Sequence, residues 1–235
     1  MTNARCIRWD TVVTARGELQ HGWILHSRSF RNTSLVIELL TESRGRCGAV
    51  ARAGRRNRLL QPFRPLCFAL GGRGELARLD HIEADGPGPA LHGRGLYCGF
   101  YLNELLTRML HREDPQPGLL DLYEQTLTSL QRDTAHDIVL RRFEMTLLEE
   151  LGYGFPLDRD AQGEVLDPRG RYSFFPEQGL LPASDGLEGE ALLELAAGEW
   201  TRRARHAARG LMRSALAPHL GDKPLKSRSL FRRGE

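Results

Sequence analysis

A run of glycine and proline, DGPGPALHGRG from Asp85 to Gly95, separates two stretches of chain whose apolar residues follow different periods. After the break, GLYCGFYLNELLTRML (Gly95 to Leu110) is the most strongly patterned segment of the sequence. Leu96, Phe100, Leu102, Leu105, Leu106, Met109 and Leu110 recur mostly at separations of three and four, which lays one broad apolar face along a helix. Tyr97 and Tyr101 share one side of it, and Asn103, Glu104, Thr107 and Arg108 fill the other. Before the break the pattern is that of short strands; beyond it, that of helices. This helix is therefore the expected joint between two kinds of structure, an α+β chain.

Upstream, GWILHSR (Gly22 to Arg28) and SLVIELLT (Ser34 to Thr41) are apolar and β-branched, with FRNT as the turn between them. RCGAVARA (Arg46 to Ala53), LCFAL (Leu66 to Leu70) and ELARLDHIEA (Glu75 to Ala84) continue the series, with GRRNR and GGRG as corners. Five short strands with glycine-rich corners suit a small closed barrel over residues 21–85, of the oligonucleotide-binding (OB) type or the SH3-like type. Strand count does not separate the two. Residues 1–20 have little periodicity and read as a flexible extension.

Residues 86–235 read as a helical domain. PQPGLLDLYEQTLTSLQ and HDIVLRRFEMTLLEELGYG give two amphipathic helices, the second ending at Gly152 as a left-handed cap. GLEGEALLELAAG and EWTRRARHAARGLMRSALAPHL give two more. Phe155 to Pro182 reads as a loop-rich insertion. Within it, DRDAQGEVLDPR approaches a calcium loop, but Arg169 stands where the bidentate glutamate is required, so the segment is expected to be a surface turn.

The net charge is only +3, but the basic residues are clustered. Between Arg44 and Arg73 lie eight arginines and no acid, and from Arg202 to Arg233 ten basic residues face one acid, Asp222. Both clusters read as an electrostatic footprint for nucleic acid. The four cysteines, Cys6, Cys47, Cys67 and Cys98, lack C-x-x-C spacing. No segment resembles a signal peptide or is apolar for long enough to span a bilayer, so a cytoplasmic protein with free thiols is expected. No phosphate loop, nucleophile elbow or H-E-x-x-H pattern is present, which favours binding over catalysis.

Several of these segments carry a family likeness. GLYCGFYLNELLTRML, LRRFEMTLLEELGYG and GDKPLKSRSLFR, with GWILHSRSFRNTSL, LLQPFRPL and GGRGEL before them in the same order, resemble the RecO family of DNA repair and recombination mediators. The resemblance covers Gly22 to Arg232. It implies an N-terminal OB barrel, a helical C-terminal domain, no enzyme active site and no cofactor. It also implies binding of single- and double-stranded DNA, annealing of complementary strands, and action with RecR, and with RecF in many members, to help RecA displace single-strand-binding protein (SSB). The SSB C-terminal tail is a further implied partner, and a nucleoid-associated location follows.

Arg44, Arg46, Arg52, Arg55, Arg56 and Arg58 are the candidate phosphate contacts, with Arg73 at the GGRG corner. Phe30, Phe63 and Phe68 are available for base stacking, at least two of them more suited to the core. Through LRRFE the resemblance places the tail-binding cations at Arg141 and Arg142. Phe143 and Leu147 are possible apolar contacts there, although core packing suits both. Lys223, Lys226 and Arg228 match the family's C-terminal signature, either as DNA contacts or as helix-capping residues. Some relatives carry a four-cysteine zinc module, whereas this chain has no cysteine after Cys98, so no zinc is expected. Two other readings remain open: an RNA- or ribosome-associated barrel protein, and a metal-dependent nuclease built on Asp158, Asp160 and Asp167.

Overall fold

The computed structural model describes residues 13–14, 17–52, 54–72, 76–132 and 135–233. They divide into two compact units, one within Met1–Pro89 and Leu110–Leu120, the other within Ala90–Met109 and Asp121–Glu235. Arg73, Cys6 and most of the N-terminal extension lie outside the described residues.

In the first unit, β1 (Val13–Thr14) pairs with the start of β2 (Gly17–Phe30). β2 therefore begins within the stretch read as an extension. Then follow β3 (Ser34–Thr41), β4 (Gly45–Ala51), β5 (Pro65–Gly71) and β6 (Ala77–Ala84). β2 is long enough to serve two neighbours. Leu19 to Trp23 pair with β5 and Gly22 to Phe30 with β3, both antiparallel. The register shifts between Ile24 and His26, a bulge that bends the strand between its two partners. β3 pairs with β4, β4 with β6 in parallel, and β6 with β5. The five strands β2 to β6 thus close on themselves, leaving no edge among them. The crossed order and the parallel pair are those of an OB barrel, and they decide against the SH3-like alternative.

The barrel is filled by inward side chains of every strand, among them Ile24, Ile37, Leu39, Cys47, Leu66, Phe68 and Leu79. The Phe68 ring lies against Gly22, where the backbones crowd. A Cβ at Gly22 would stand 2.5 Å from the Leu40 carbonyl oxygen and 3.1 Å from that ring. Gly22 is bonded on both sides, opposite Thr41 and Leu66, so its backbone has nowhere to move.

The second unit contains α1 (Gly93–Met109), α2 (Leu119–Gln131), α3 (His136–Glu150), α4 (Gly189–Ala196), α5 (Arg202–Leu220) and α6 (Arg228–Arg233). α1 buries Leu102, Leu105 and Leu106 completely, as its spacing requires. Its polar side departs from the sequence reading. Asn103 is buried and accepts a hydrogen bond from the Tyr123 hydroxyl at 2.6 Å, whereas Phe100, assigned to the apolar face, is exposed. α3 stops as expected: Gly152 takes φ 79°, and the Tyr153 N–H returns to the Leu148 carbonyl at 2.7 Å.

The stretch read as loop-rich is only partly so. β7 (Arg171–Phe175), β8 (Gly179–Pro182) and β9 (Leu187–Glu188) form a small antiparallel sheet in the order β8-β7-β9. These strands are too short to show a period, and only Tyr172 and Leu180 among their side chains are buried. The segment resembling a calcium loop is a turn. Asp160 Oδ1 accepts the Gln162 and Glu164 N–H groups at 2.9 and 3.0 Å, and Asp167 Oδ1 accepts the Arg169 N–H at 2.9 Å.

Gly22→Ala is expected to destabilise the protein by about 1–3 kcal/mol, because the added methyl group meets a fixed backbone oxygen. Urea unfolding followed by circular dichroism checks this, and a midpoint equal to that of the parent would refute the close-approach argument.

Candidate nucleic-acid interface and peptide groove

The barrel turn between β2 and β3 and the basic loop after β4 are brought together at one place. Arg55 does this: its Nε donates to Ser29 Oγ at 3.2 Å and its Nη1 to the Asn32 carbonyl at 2.9 Å. The Arg55 backbone N–H also donates to the Thr33 carbonyl at 3.2 Å. Arg55 is thus an anchor between the two loops. Arg52, Arg56 and Arg58 beside it are exposed and make no ion pair or hydrogen bond among the described residues. The facing turn adds exposed Phe30, with the Arg31 guanidinium 5.1 Å from its ring centre. Phe63 and Phe68 are buried, so of the three phenylalanines only Phe30 presents a ring to solvent. Arg31 was missed in the sequence because the turn is remote in number from the arginine cluster.

Arg44 and Arg46 are placed differently from the other arginines of the cluster. The segment Leu110–Leu120 belongs to the barrel unit and runs along β4, where the Glu113 N–H donates to the Arg46 carbonyl at 2.9 Å. Arg44 Nε pairs with Glu113 at 2.7 Å, and this hydrogen bond raises the Arg44 pKa. Arg46 is 16% exposed, lies 3.9 Å from Glu38, and is pushed down by burial. Arg112 pairs with the same Glu38. Both arginines are thus committed to carboxylates within the unit.

In the second unit, Arg141 and Arg142 stand one turn before Met145 on α3. Met145, Leu148, Phe155, Pro156, Leu157 and Met212 line an open groove of about 600 Å³, with Glu149 at its side. Phe143 and Leu147 are core residues and take no part. Arg142 is exposed and lies over the Trp200 ring at 5.5 Å. Arg141 points the other way, its Nη2 2.6 Å from Glu144 Oε1. Glu144 is fully buried, accepts a second hydrogen bond from the Tyr101 hydroxyl at 2.6 Å, and has no partner for Oε2. Burial pushes its carboxyl up to about 7, against the lowering effects of Arg141, the Tyr101 hydroxyl and the Arg228 charge. Burial likewise raises the Tyr101 hydroxyl, helped by the Glu144 charge.

The C-terminal signature is clamped from α1. Arg108 donates to the carbonyls of Leu220 at 3.1 Å and Pro224 at 2.9 Å, and also to that of Lys223. Glu104 accepts the N–H groups of Lys226 and Ser227 at 2.9 and 2.8 Å and the Ser227 hydroxyl at 2.7 Å. Burial opposes ionisation of Glu104, but these bonds together with Arg108 hold its carboxyl below the usual range. Leu225 and Ser227 are buried, while Lys223, Lys226 and Arg228 are exposed. The capping is done by Glu104, and the three cations remain on the surface.

Two family models match this layout: Recombination protein O N terminal over residues 18–86 and Recombination protein O C terminal over residues 92–229. The chain belongs to the RecO family. Among its relatives, the DNA repair protein RecO of Methylococcus capsulatus is 44% identical, covering 91% of this chain and 93% of its own length. The DNA repair protein RecO of Pseudomonas aeruginosa (strain PAO1) is also 44% identical, over 90% of this chain and 94% of its own length. That of Alkalilimnicola ehrlichii is 45% identical, over 91% and 90%. Among the described residues of this RecO-family chain, no three His, Cys, Asp or Glu side chains converge as a metal-ligand set, and no helix is long and apolar enough to cross a membrane.

Glu144 has a measurable signature. Its folded-state pKa lies above the unfolded value, so between about pH 4.5 and 7 the folded protein holds a proton that the unfolded chain releases. Stability therefore falls as pH rises through this window, by ~3 kcal/mol at most at about 1.4 kcal/mol per unit. Glu104 and Asp137, whose carboxyls are held low, act only in more acidic solution. Glu144→Gln is expected to flatten the fall between about pH 4.5 and 7. Urea titrations at several pH values check it, and an equal slope in both proteins would refute the assignment to Glu144.

Proposed function

We propose that the chain is a non-catalytic mediator of DNA repair that binds single- and double-stranded DNA through its barrel loops. The carrying observation is the cluster of exposed, unpaired Arg52, Arg56 and Arg58 beside the Phe30–Arg31 turn, on an OB barrel. Guanidinium groups hold phosphates without regard to sequence, and an exposed ring offers one stacking surface for an unpaired base. Annealing follows from the same chemistry, because cations that screen two strands lower the cost of bringing them together.

The groove on the second unit supports docking of the SSB C-terminal tail. A short acidic, apolar peptide requires an apolar trough with cations at its rim. Met145, Leu148, Phe155 and Met212 supply the trough, and of the two arginines one turn away on α3, Arg142 is exposed while Arg141 is engaged by Glu144. In this reading the protein acts at SSB-coated strands, with RecR and with RecF where present, to help load RecA. Lys223, Lys226 and Arg228, exposed on the second unit, are further candidate DNA contacts, and Arg73 remains a candidate from its sequence position alone.

The test is fluorescence anisotropy with labelled oligonucleotides and with an SSB-tail peptide. Arg52→Ala/Arg56→Ala/Arg58→Ala is expected to weaken single-strand binding and to reduce the logarithmic salt slope by about 2, at roughly 0.7 for each phosphate no longer neutralised. Arg141→Ala/Arg142→Ala is expected to weaken the peptide at least tenfold and leave the oligonucleotide unaffected. Tighter binding of RNA than of single-stranded DNA, with no peptide binding, would replace this reading with that of an RNA-associated barrel.

A further inference from the structure

The proposed function leaves one strongly charged surface unused, the outer side of α5. This helix carries Arg202, Arg203, Arg205, His206, Arg209 and Arg213, and no acid anywhere in its nineteen residues. The structure sorts these cations into two groups. Arg203 is bound by Glu190 at 2.6 and 2.7 Å and by Glu194 at 2.9 Å, and Arg205 by both oxygens of Asp137 at 2.7 and 2.8 Å. These pairs fix the helix from both flanks. Arg202, His206, Arg209 and Arg213 are exposed and make no ion pair or hydrogen bond among the described residues. They follow one another at separations of four, three and four, so they form a single row along the helix. The row lies on the side opposite the buried Ala204, Ala208, Leu211 and Ala215.

The geometry points to a second nucleic-acid site: we propose that the row Arg202, His206, Arg209 and Arg213 tracks the phosphates of a DNA strand, separately from the barrel loops. From Arg202 to Arg213 the row extends ~16 Å, at about 1.5 Å per residue. That length spans a few phosphates, since each strand of B-form DNA carries one charge per ~3.4 Å of helix axis. Three guanidinium groups in line, with no carboxylate on the helix to compete for them, complement a polyanion. The same surface is poorly suited to other acidic partners. Between Arg202 and Arg213 the exposed residues of α5 include no apolar side chain to anchor a peptide, and the peptide groove uses Met212 on another side of the helix. A basic amphipathic helix can lie on an anionic membrane only by inserting its apolar face, and here that face is the core of the unit.

A protein with one phosphate track on each of its units can hold two strands at once. The inference shares with the proposed function only the premise that the chain binds DNA. The experiment uses the full chain carrying Arg202→Ala/Arg209→Ala/Arg213→Ala, with circular dichroism as the check on folding and the triple Arg→Lys variant as the charge-conserving control. Binding of labelled oligo(dT) across a salt series, annealing of complementary oligonucleotides and binding of the SSB-tail peptide are measured for both, for the parent and for the barrel-loop variant.

The alanine variant is expected to lose about 2 from the salt slope, at roughly 0.7 per phosphate, and tenfold or more in annealing rate, with the lysine variant near the parent. An unchanged slope and annealing rate, with the barrel-loop variant impaired, would overturn the α5 site and leave the proposed function standing. Loss of SSB-tail binding alone would overturn it in favour of an acidic peptide. A parent that binds no oligonucleotide would remove both readings together.

Discussion

The first unit depends on one strand serving two neighbours. Around Gly22 and Trp23, β2 is hydrogen-bonded to β3 on one side and β5 on the other, which makes a ring out of what would otherwise be an open sheet. The double pairing requires a bulge at Leu25 to bend the strand and a glycine where the Phe68 ring and the Leu40 carbonyl leave no room. Closure also fixes the corners. The β2–β3 turn and the loop after β4 meet because adjacent strands end there, and Arg55 ties one to the other.

In a chain whose cations are nearly all arginine, position in the sequence says little about what each does. The carboxylates divide them. Glu38 and Glu113 take up Arg46, Arg112 and Arg44; Glu104 binds Arg108; Glu144 holds Arg141; Glu190, Glu194 and Asp137 hold Arg203 and Arg205. Arg52, Arg56 and Arg58 on the barrel and Arg202, Arg209 and Arg213 on α5 stand outside such pairs. Exposed pairs such as Arg203–Glu190 contribute little to stability individually, and their effect is to fix orientation. Glu144 differs, because it is a buried carboxylate whose second oxygen has no partner.

Much of the architecture was legible. The switch from strand pattern to helix pattern at the Gly/Pro break, α1, the Gly152 cap and the strand order along the chain all follow from local chemistry. The β7–β8–β9 sheet was not, since strands of two to five residues carry no measurable period. Nor were the partners of Asn103, Glu104 and Arg108. Polar residues on an amphipathic helix read as solvated, and only the return of residues 220–227, more than a hundred positions later, covers Glu104 and Arg108.

The sequence by itself determined the two kinds of structure, the family, and the concentration of positive charge in two stretches. These are properties of composition, spacing and order. Tertiary structure decided which barrel the strands close into, because strand order around a ring is not written in any strand. It also decided which arginines remain free, because a carboxylate sixty or more residues away, such as Glu113 for Arg44 or Asp137 for Arg205, neutralises a cation only once folding brings the two within hydrogen-bonding distance.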